Sequence, residues 1–428
     1  MAHKLLTRLL RKIVRNGTLT ITYHDGTYHD GAHHDGIGDT LGSPSPGFPD
    51  VAIRFADTKV PRDLIRDMRL GAGEAYMDGR ILIERGDVME LVQLLRANTP
   101  WEKREVSLRP SLIGKVKSRL GYLAKAVNRP GSARRNVSHH YDIGNDLYRL
   151  MLDAPHMQYS CAYWPREDMT LEQAQEAKLA HIAAKLSLEP GARVLDIGCG
   201  WGGMAIYLAR HRDVRVHGVT LSSEQLALAE ERAAAAGLSD RITFELVDYR
   251  DLARRGERYD RIVSVGMFEH VGRPQFETFF RACAHMLAPE GVMLLHTIGR
   301  MGQPGSTDAF TNKYIFPGGY IPALSETLAA SEKARLIATD IETLRLHYAR
   351  TLRAWYARCL DHRAEIVAAY GDRFFRMWTF YLAGATAAFE SGGLCNYQIQ
   401  YARQRRALPL TRDYLARDEA ALTVGHAL

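Results

Sequence analysis

The chain reads as an α/β protein: a doubly wound parallel sheet makes up its larger part, preceded by a small α+β domain. Three observations predict this. From about His139 onward, apolar strand patterns alternate with helical ones at βαβ spacing. Within that region the apolar strand Arg193-Val-Leu-Asp-Ile197 runs into Gly198-Cys-Gly-Trp-Gly-Gly203 and then the helical MAIYLARH. Glycines there let the backbone turn tightly and approach a ligand at the carboxyl end of a strand. Finally, 428 residues are too many for one ordinary core.

Taken in chain order, residues 4–15 predict a sharply amphipathic helix. Leu5, Leu6, Leu9, Leu10, Ile13 and Val14 fill one half of its wheel, and Lys4, Arg8, Arg11, Lys12 and Arg15 the opposite sector. Such a helix either packs on its own domain or lies in a membrane interface with its basic residues toward anionic headgroups. An alternating strand follows and enters a five-residue repeat, YHDGT, YHDGA, HHDGI. Its histidines could bind metal adventitiously, but Asp-Gly steps favour tight turns, so the repeat reads as a hairpin tip or loop and no metal site is assigned. SPSPGFPD is a loop, VAIRFAD a strand, and DVMELVQLLRAN a closing helix. Residues 111–127, SLIGKVKSRLGYLAKAV, predict a second basic amphipathic helix, and NRPGSARRN a linker. The expected division is therefore 1–100 for the small domain, 101–137 for basic helix and linker, and 138–428 for the doubly wound domain.

Charge and cysteines narrow the classes. The net charge is +7, yet between Trp101 and His140 ten Lys or Arg stand against two Glu, a local surplus of eight. That concentration implies an anionic partner, nucleic acid or an anionic membrane surface. Five scattered cysteines without CxxC spacing argue against a disulfide framework and a structural zinc site. The N-terminus, interrupted by Arg8, Arg11 and Lys12, lacks a signal-peptide apolar core, and no apolar run approaches a bilayer span. The expected location is cytoplasmic.

The glycine-rich loop alone would equally suggest NAD. The acidic Asp196, two positions before Gly198, gives the form xLDxGCGxG, which resembles the first motif of class I methyltransferases, whose Rossmann-like fold holds S-adenosylmethionine. The next strand, VRVHGVTLS, ends without the acidic residue that commonly binds ribose hydroxyls. Instead Gly218-Val-Thr-Leu-Ser-Ser-Glu-Gln225 resembles the corresponding segment of cyclopropane synthases. HHYDIGNDLYRLML (139–152), QYSCAYW (158–164), SVGMFEHVG (264–272), LLHTIG (294–299), NKYIFPGGYIP (312–322) and LHYARTLRAWY (346–356) extend that resemblance across roughly residues 138–405. The chain thus resembles the cyclopropane-fatty-acyl-phospholipid and mycolic acid cyclopropane synthase family.

The resemblance implies a specific chemistry. An isolated alkene can take the sulfonium methyl group if the two are held in line in a dry site. The resulting carbocation closes a three-membered ring once a base removes a proton from the new methyl group. By resemblance that base is a bound bicarbonate held by Cys161, Glu269, His296 and Tyr348, with the backbone at Ile298. Thiol, carboxyl, imidazole and phenol can all donate hydrogen bonds to an anion. The resemblance also gives Tyr159, Ser160, Asp196, Gly198, Gly200, Thr220, Gln225 and Asp248 to the cofactor, with Tyr249 beside the adenine. Phe268, Tyr163, Phe316 and Tyr320 are candidates for walls of an acyl tunnel, with plain core packing as the alternative for each.

Three functions compete. The first transfers a methylene unit to a cis double bond of a phospholipid acyl chain. The second methylates the chain without closing a ring. The third, from another class, is a lipid- or nucleic-acid-binding protein with a relict methyltransferase fold. The basic stretch holds only Trp101 and Tyr122 as aromatic rings and shows no RNA-module signature, so anionic lipid is favoured over nucleic acid. The expected enzyme docks peripherally on the inner face of the membrane, and its oligomeric state is open, a homodimer being compatible.

Overall fold

A computed structural model of the protein describes residues 2–29, 32–103 and 144–423. The basic helix expected at 111–127 and the linker after it lie outside the described residues. Helices α1 to α4 are Ala2–Ile13, Val60–Arg66, Met68–Met77 and Val88–Ala97; strands β1 to β4 are Gly17–His29, Ala32–Ser43, Asp50–Phe55 and Ile81–Arg85. The sheet order is β2-β1-β3-β4, with β1 and β2 an antiparallel hairpin and β1 and β3 parallel. The YHDG-type repeat occupies the far half of this hairpin, where His24 faces Asp35 and Tyr28 faces His33. It therefore extends the strands themselves, beyond the tip or loop expected for it.

The amphipathic helix is real but only part of its apolar half is covered. Leu6, Leu10 and Val14 join Leu19, Ile21, Leu41, Val51 and Ile53 in one core. Thr7 Oγ1 meets Tyr23 Oη at 2.7 Å and donates to Asp39 at 2.8 Å, anchoring the helix to the hairpin. Leu5 and Leu9 remain 45% and 36% exposed among Lys4, Arg8, Arg11 and Lys12.

The remaining helices are α5 Asn145–Met151, α6 Leu171–Leu186, α7 Gly203–His211, α8 Ser223–Ala235, α9 Tyr249–Arg254, α10 Phe276–Met286, α11 Ala309–Tyr314, α12 Leu324–Lys333, α13 His347–Asp361, α14 Arg363–Tyr370, α15 Asp372–Glu390 and α16 Asp413–Thr423. The strands among them are β5 Ala192–Ile197, β6 Val214–Thr220, β7 Ile242–Leu246, β8 Tyr259–Val265, β9 Leu287–Arg300, β10 Ile337–Leu344 and β11 Leu394–Ala402. The chain forms two compact units: Met1–Arg109 with Thr307–Pro317 and Leu352–Gly393, and Pro110–Ser306 with Gly318–Thr351 and Leu394–Leu428. Chain order alone assigns 307–317 and 352–393 to the doubly wound domain. By packing they belong with the N-terminal residues, α15 lying on α3 and α4.

The second unit carries the expected sheet, seven strands in the order β10-β11-β9-β8-β5-β6-β7. Strands β5 to β9 pair in parallel, whereas β11 is antiparallel to both its neighbours. Successive residues serve opposite faces: Val194, Val263 and Leu294 pack with α6, α7 and α8, while Leu195, Ile262 and Leu295 pack with α10. The strand order reverses at β5, whose neighbours run outward as β6-β7 on one side and β8-β9 on the other. That reversal opens a crevice beyond the carboxyl ends of β5 and β8.

Candidate active site

The crevice is a cleft enclosing about 1130 Å³, part of it open to solvent. All eight residues expected to hold the cofactor line it: Tyr159, Ser160, Asp196, Gly198, Gly200, Thr220, Gln225 and Asp248. The loop is shaped by backbone that only glycine adopts readily, with φ +84° at Gly198. Its amides at Gly198 and Cys199 donate to the Val219 carbonyl at 2.9 and 3.1 Å, tying the loop to the end of β6. Across that end, Thr220 Oγ1 donates to Gln225 Oε1 at 3.0 Å, and Ser222 caps α8 by accepting from the Gln225 amide.

Two carboxylates in the cleft have opposite environments. Burial raises Asp196 to about 7, with Lys178 opposing, and its Oδ2 has no hydrogen-bond partner among the described residues. Asp248 is also buried, which pushes its pKa up, but its bonds to Arg250 prevail and hold it low. Arg250 donates to both its oxygens, at 2.8 and 2.6 Å. Behind the cleft, fully buried Lys178 on α6 donates to Gln158 and, at 3.0 Å, to Ser160 Oγ. Burial pushes its ammonium pKa below the usual lysine range, against the charge of Asp153.

Of the four residues expected to hold an anion, none lines the cleft itself, but three adjoin residues that do. Cys161 follows Ser160, Glu269 precedes His270, and the His296 carbonyl accepts from the Gly266 amide at 2.9 Å. Glu269 Oε1 accepts from the Ile298 amide at 2.5 Å, joining the turn after β8 to β9. Segment 158–164 is held to α13 by Thr351 Oγ1, which accepts from the Ala162 amide at 3.1 Å and Trp164 Nε1 at 3.0 Å. His347 Nδ1 accepts from the Trp164 amide at 2.9 Å. Tyr348, between those anchors, is buried. These bonds tie segment 158–164 to 346–356, and segment 264–272 to 294–299 through the Ile298 amide.

The electrostatics of these residues favour donors over charges. Burial raises Glu269 to about 7, the Ile298 amide opposing, and Glu269 Oε2 is buried without a partner among the described residues. Burial also raises the Cys161 thiol, so it stays protonated. His296 is pushed well below its usual value by burial, then by Lys178 and Lys185, so it is neutral. A thiol, a neutral imidazole and, below about pH 7, a protonated carboxyl are all groups that can donate a hydrogen bond.

The aromatic candidates divide. Phe268 is wholly buried against Phe276 and Phe279, at ring distances of 4.3 and 5.1 Å, so it is core. Tyr163 is stacked between His181 at 4.2 Å and His347 at 5.2 Å. Tyr320 donates its amide to the Glu269 carbonyl at 2.9 Å and its hydroxyl to Glu326. Phe316 falls in the N-terminal unit, its ring 6.0 Å from Tyr381. Sequence reasoning missed Lys178, Lys185 and Gln398. The available signal was the i, i+3, i+7 spacing of Lys178, His181 and Lys185, which puts three basic residues on one face of an otherwise Ala- and Leu-rich helix.

Known proteins resemble this chain over much of its length. The model of the mycolic acid cyclopropane synthetase family matches residues 129–399. Over 354 residues the chain is 42% identical to cyclopropane-fatty-acyl-phospholipid synthase of Escherichia coli strain K12, covering 82% of this chain and 87% of that one. It is 34% identical over 423 residues to tuberculostearic acid methyltransferase UfaA1 of Mycobacterium tuberculosis, covering 93% and 90%. The crystal structure of the mycolic acid cyclopropane synthase CmaA1 complexed with SAH and CTAB is similar at TM-score 0.59 and 34% identity, over 63% of this chain and 98% of that one. Loop, cleft and likenesses agree: the chain belongs to the mycolic acid cyclopropane synthetase family of S-adenosylmethionine-dependent methyltransferases.

Proposed function

We propose that the protein transfers a methylene unit from S-adenosylmethionine to the cis double bond of an unsaturated phospholipid acyl chain, forming a cyclopropane and S-adenosylhomocysteine. The observation that carries this reading is Glu269, a carboxyl raised to about 7 with one orphaned buried oxygen, set beside the cofactor cleft. A simple methyl transfer to a nitrogen or oxygen has no need of a buried donor cluster aimed at an anion. In the proposed reaction the alkene π pair forms a bond to the methyl carbon while the carbon–sulfur pair returns to sulfur. Loss of a proton from that methyl group lets its C–H pair close the ring.

The donor set fits bicarbonate, with Cys161, Glu269, His296, Tyr348 and the Ile298 backbone as its holders. When bound, bicarbonate would supply the base that takes the proton. The chain's own residues exclude water and hold that charge in place, Glu269 donating from Oε2. Ring closure is separated from simple methylation by the product. The likeness to tuberculostearic acid methyltransferase across 93% of the chain favours methylation without a ring as the second reading. Resistance of the product to hydrogenation, with ring-methylene NMR signals, supports the first; a reducible alkene or a methyl branch supports the second.

The substrate tail lies in a bilayer, and no helix among the described residues is long and apolar enough to cross one. Peripheral docking on the inner, anionic face is therefore part of the proposal. Leu5 and Leu9, exposed among basic residues on α1, and the basic stretch at 101–140 support it. Each Lys or Arg near an anionic surface contributes about 1 kcal/mol, screened by salt. Binding to vesicles is expected to need anionic lipid and to weaken as salt rises. Changing Lys115, Lys117, Arg119 and Lys125 together to Gln should reduce co-sedimentation while leaving cofactor affinity unchanged. Equal pelleting of parent and variant at low and high salt would remove the 111–127 segment as a docking element.

A further inference from the structure

His296 is wholly buried on β9, and β11 supplies its neighbours on both sides. Asn396 and Gln398, two residues apart and so on one face of β11, flank the imidazole. Gln398 Nε2 lies 3.2 Å from His296 Nδ1, and Asn396 Nδ2 lies 3.4 Å from His296 Nε2. The other end of Gln398 is fixed by chemistry: its Oε1 accepts from Lys185 Nζ at 2.9 Å. An ammonium group only donates, so the amide oxygen must face Lys185 and the amide nitrogen must face the ring. Lys185 is itself held by Glu342, which His181 binds at 2.6 Å, while His181 binds Glu419 at 2.9 Å.

An amide nitrogen cannot accept, so His296 Nδ1 must present a lone pair to Gln398. In a neutral ring the single proton then sits on Nε2. A second feature agrees. Asn396 turns a donor toward Nε2, while its Oδ1 is buried without a partner among the described residues. The two ends of an asparagine amide are told apart only by their bonds. Turning this amide over places Oδ1 against Nε2–H, an acceptor facing a donor.

We propose that Lys185 and Gln398 form a relay that fixes His296 as the Nε2–H tautomer, which makes Gln398 a positioning residue for the active site. The relay rests on the proposed function for its purpose: Nε2–H is a donor for an anion, and at 3.4 Å its neutral amide acceptor is weakly held and easily displaced by a charged one. Its geometry does not depend on that function. The companion residues, Cys161, Glu269 and Tyr348, offer donors as well, and the opposite tautomer would turn a lone pair toward the anion they hold.

The test is a ¹⁵N–¹H correlation spectrum of the full chain labelled at histidine, with the His296 ring identified by its loss in His296→Gln. The expected pattern is a protonated, pyrrole-type Nε2 and an unprotonated, pyridine-type Nδ1. Gln398→Glu keeps shape but gives the ring an acceptor at Nδ1, so the pattern should invert. Turnover should then fall by about ten- to a hundredfold, as for loss of supporting contacts to a site, while S-adenosylmethionine affinity stays near the parent's. A wild-type ring protonated at Nδ1 overturns the relay, as does an unchanged pattern in a folded Gln398→Glu. If the tautomer is as stated but His296→Gln turns over normally, the relay stands and His296's part in the proposed function falls.

Discussion

Gly198→Val should abolish measurable binding of S-adenosylmethionine. Residue 198 sits at φ +84°, a region strongly disfavoured for a β-branched side chain. A Cβ there would also stand 2.8 Å from Cβ and Cγ of Met267, which lines the same cleft. The loop cannot move away without breaking its amide bonds to the Val219 carbonyl. Either response displaces the backbone that the cofactor must approach. Calorimetric titration of the folded variant decides the matter, and near-native affinity would show that the loop does not hold the cofactor.

Glu269→Ala and Tyr348→Phe should lower turnover on lipid vesicles by about 10²- to 10³-fold, the usual cost of removing one preorganised contact to a transition-state charge. Cofactor affinity should change little, because neither side chain lines the cleft among the described residues. Glu269→Ala also leaves the Ile298 amide unpaired, so some stability is lost, about 1–3 kcal/mol. Tyr348→Phe removes only a hydroxyl and separates chemistry from folding. Wild-type turnover in both variants would make the cluster merely structural.

The same carboxyl sets a pH dependence. Glu269 is raised from 4.5 to about 7 by burial, so in the folded protein it is a neutral donor below about 7 and an anion above it. Activity should therefore decline as pH rises through about 7, where an ionised Glu269 would repel a bound anion. Glu269→Gln, a permanent neutral donor, should flatten that limb. The stability sign follows: ionisation costs the folded state more than the unfolded one, so this residue's contribution falls between about 4.5 and 7 as pH rises.

The cleft at the glycine-rich loop was legible because its determinants are local. Asp196, Gly198 and Gly200 lie in one turn, and Thr220 and Gln225 in the next, each carrying its own motif. Lys178 was not legible, because a lysine on a helix ordinarily reads as a solvated residue and only the folded unit shows it wholly buried. Gln398 contacts a ring 102 positions away, through a strand pairing no local pattern announces. The return of 352–393 to the N-terminal unit is likewise a tertiary fact, as helical periodicity does not say which partner a face meets. The first helix was half legible: periodicity found its apolar side, and packing then covered Leu6 and Leu10 but left Leu5 and Leu9 in contact with solvent.

Product analysis tests the central claim most directly. Vesicles of cis-unsaturated phospholipid with an anionic component are incubated with the protein and S-adenosylmethionine carrying a ¹³C-labelled methyl group, and the released acyl chains are examined by NMR. The label is expected to enter the acyl chain as a ring methylene, bonded to both former alkene carbons, in a product that resists hydrogenation. Label recovered in a methyl group or exocyclic alkene would contradict ring closure, and no label in the lipid would contradict the proposed function altogether.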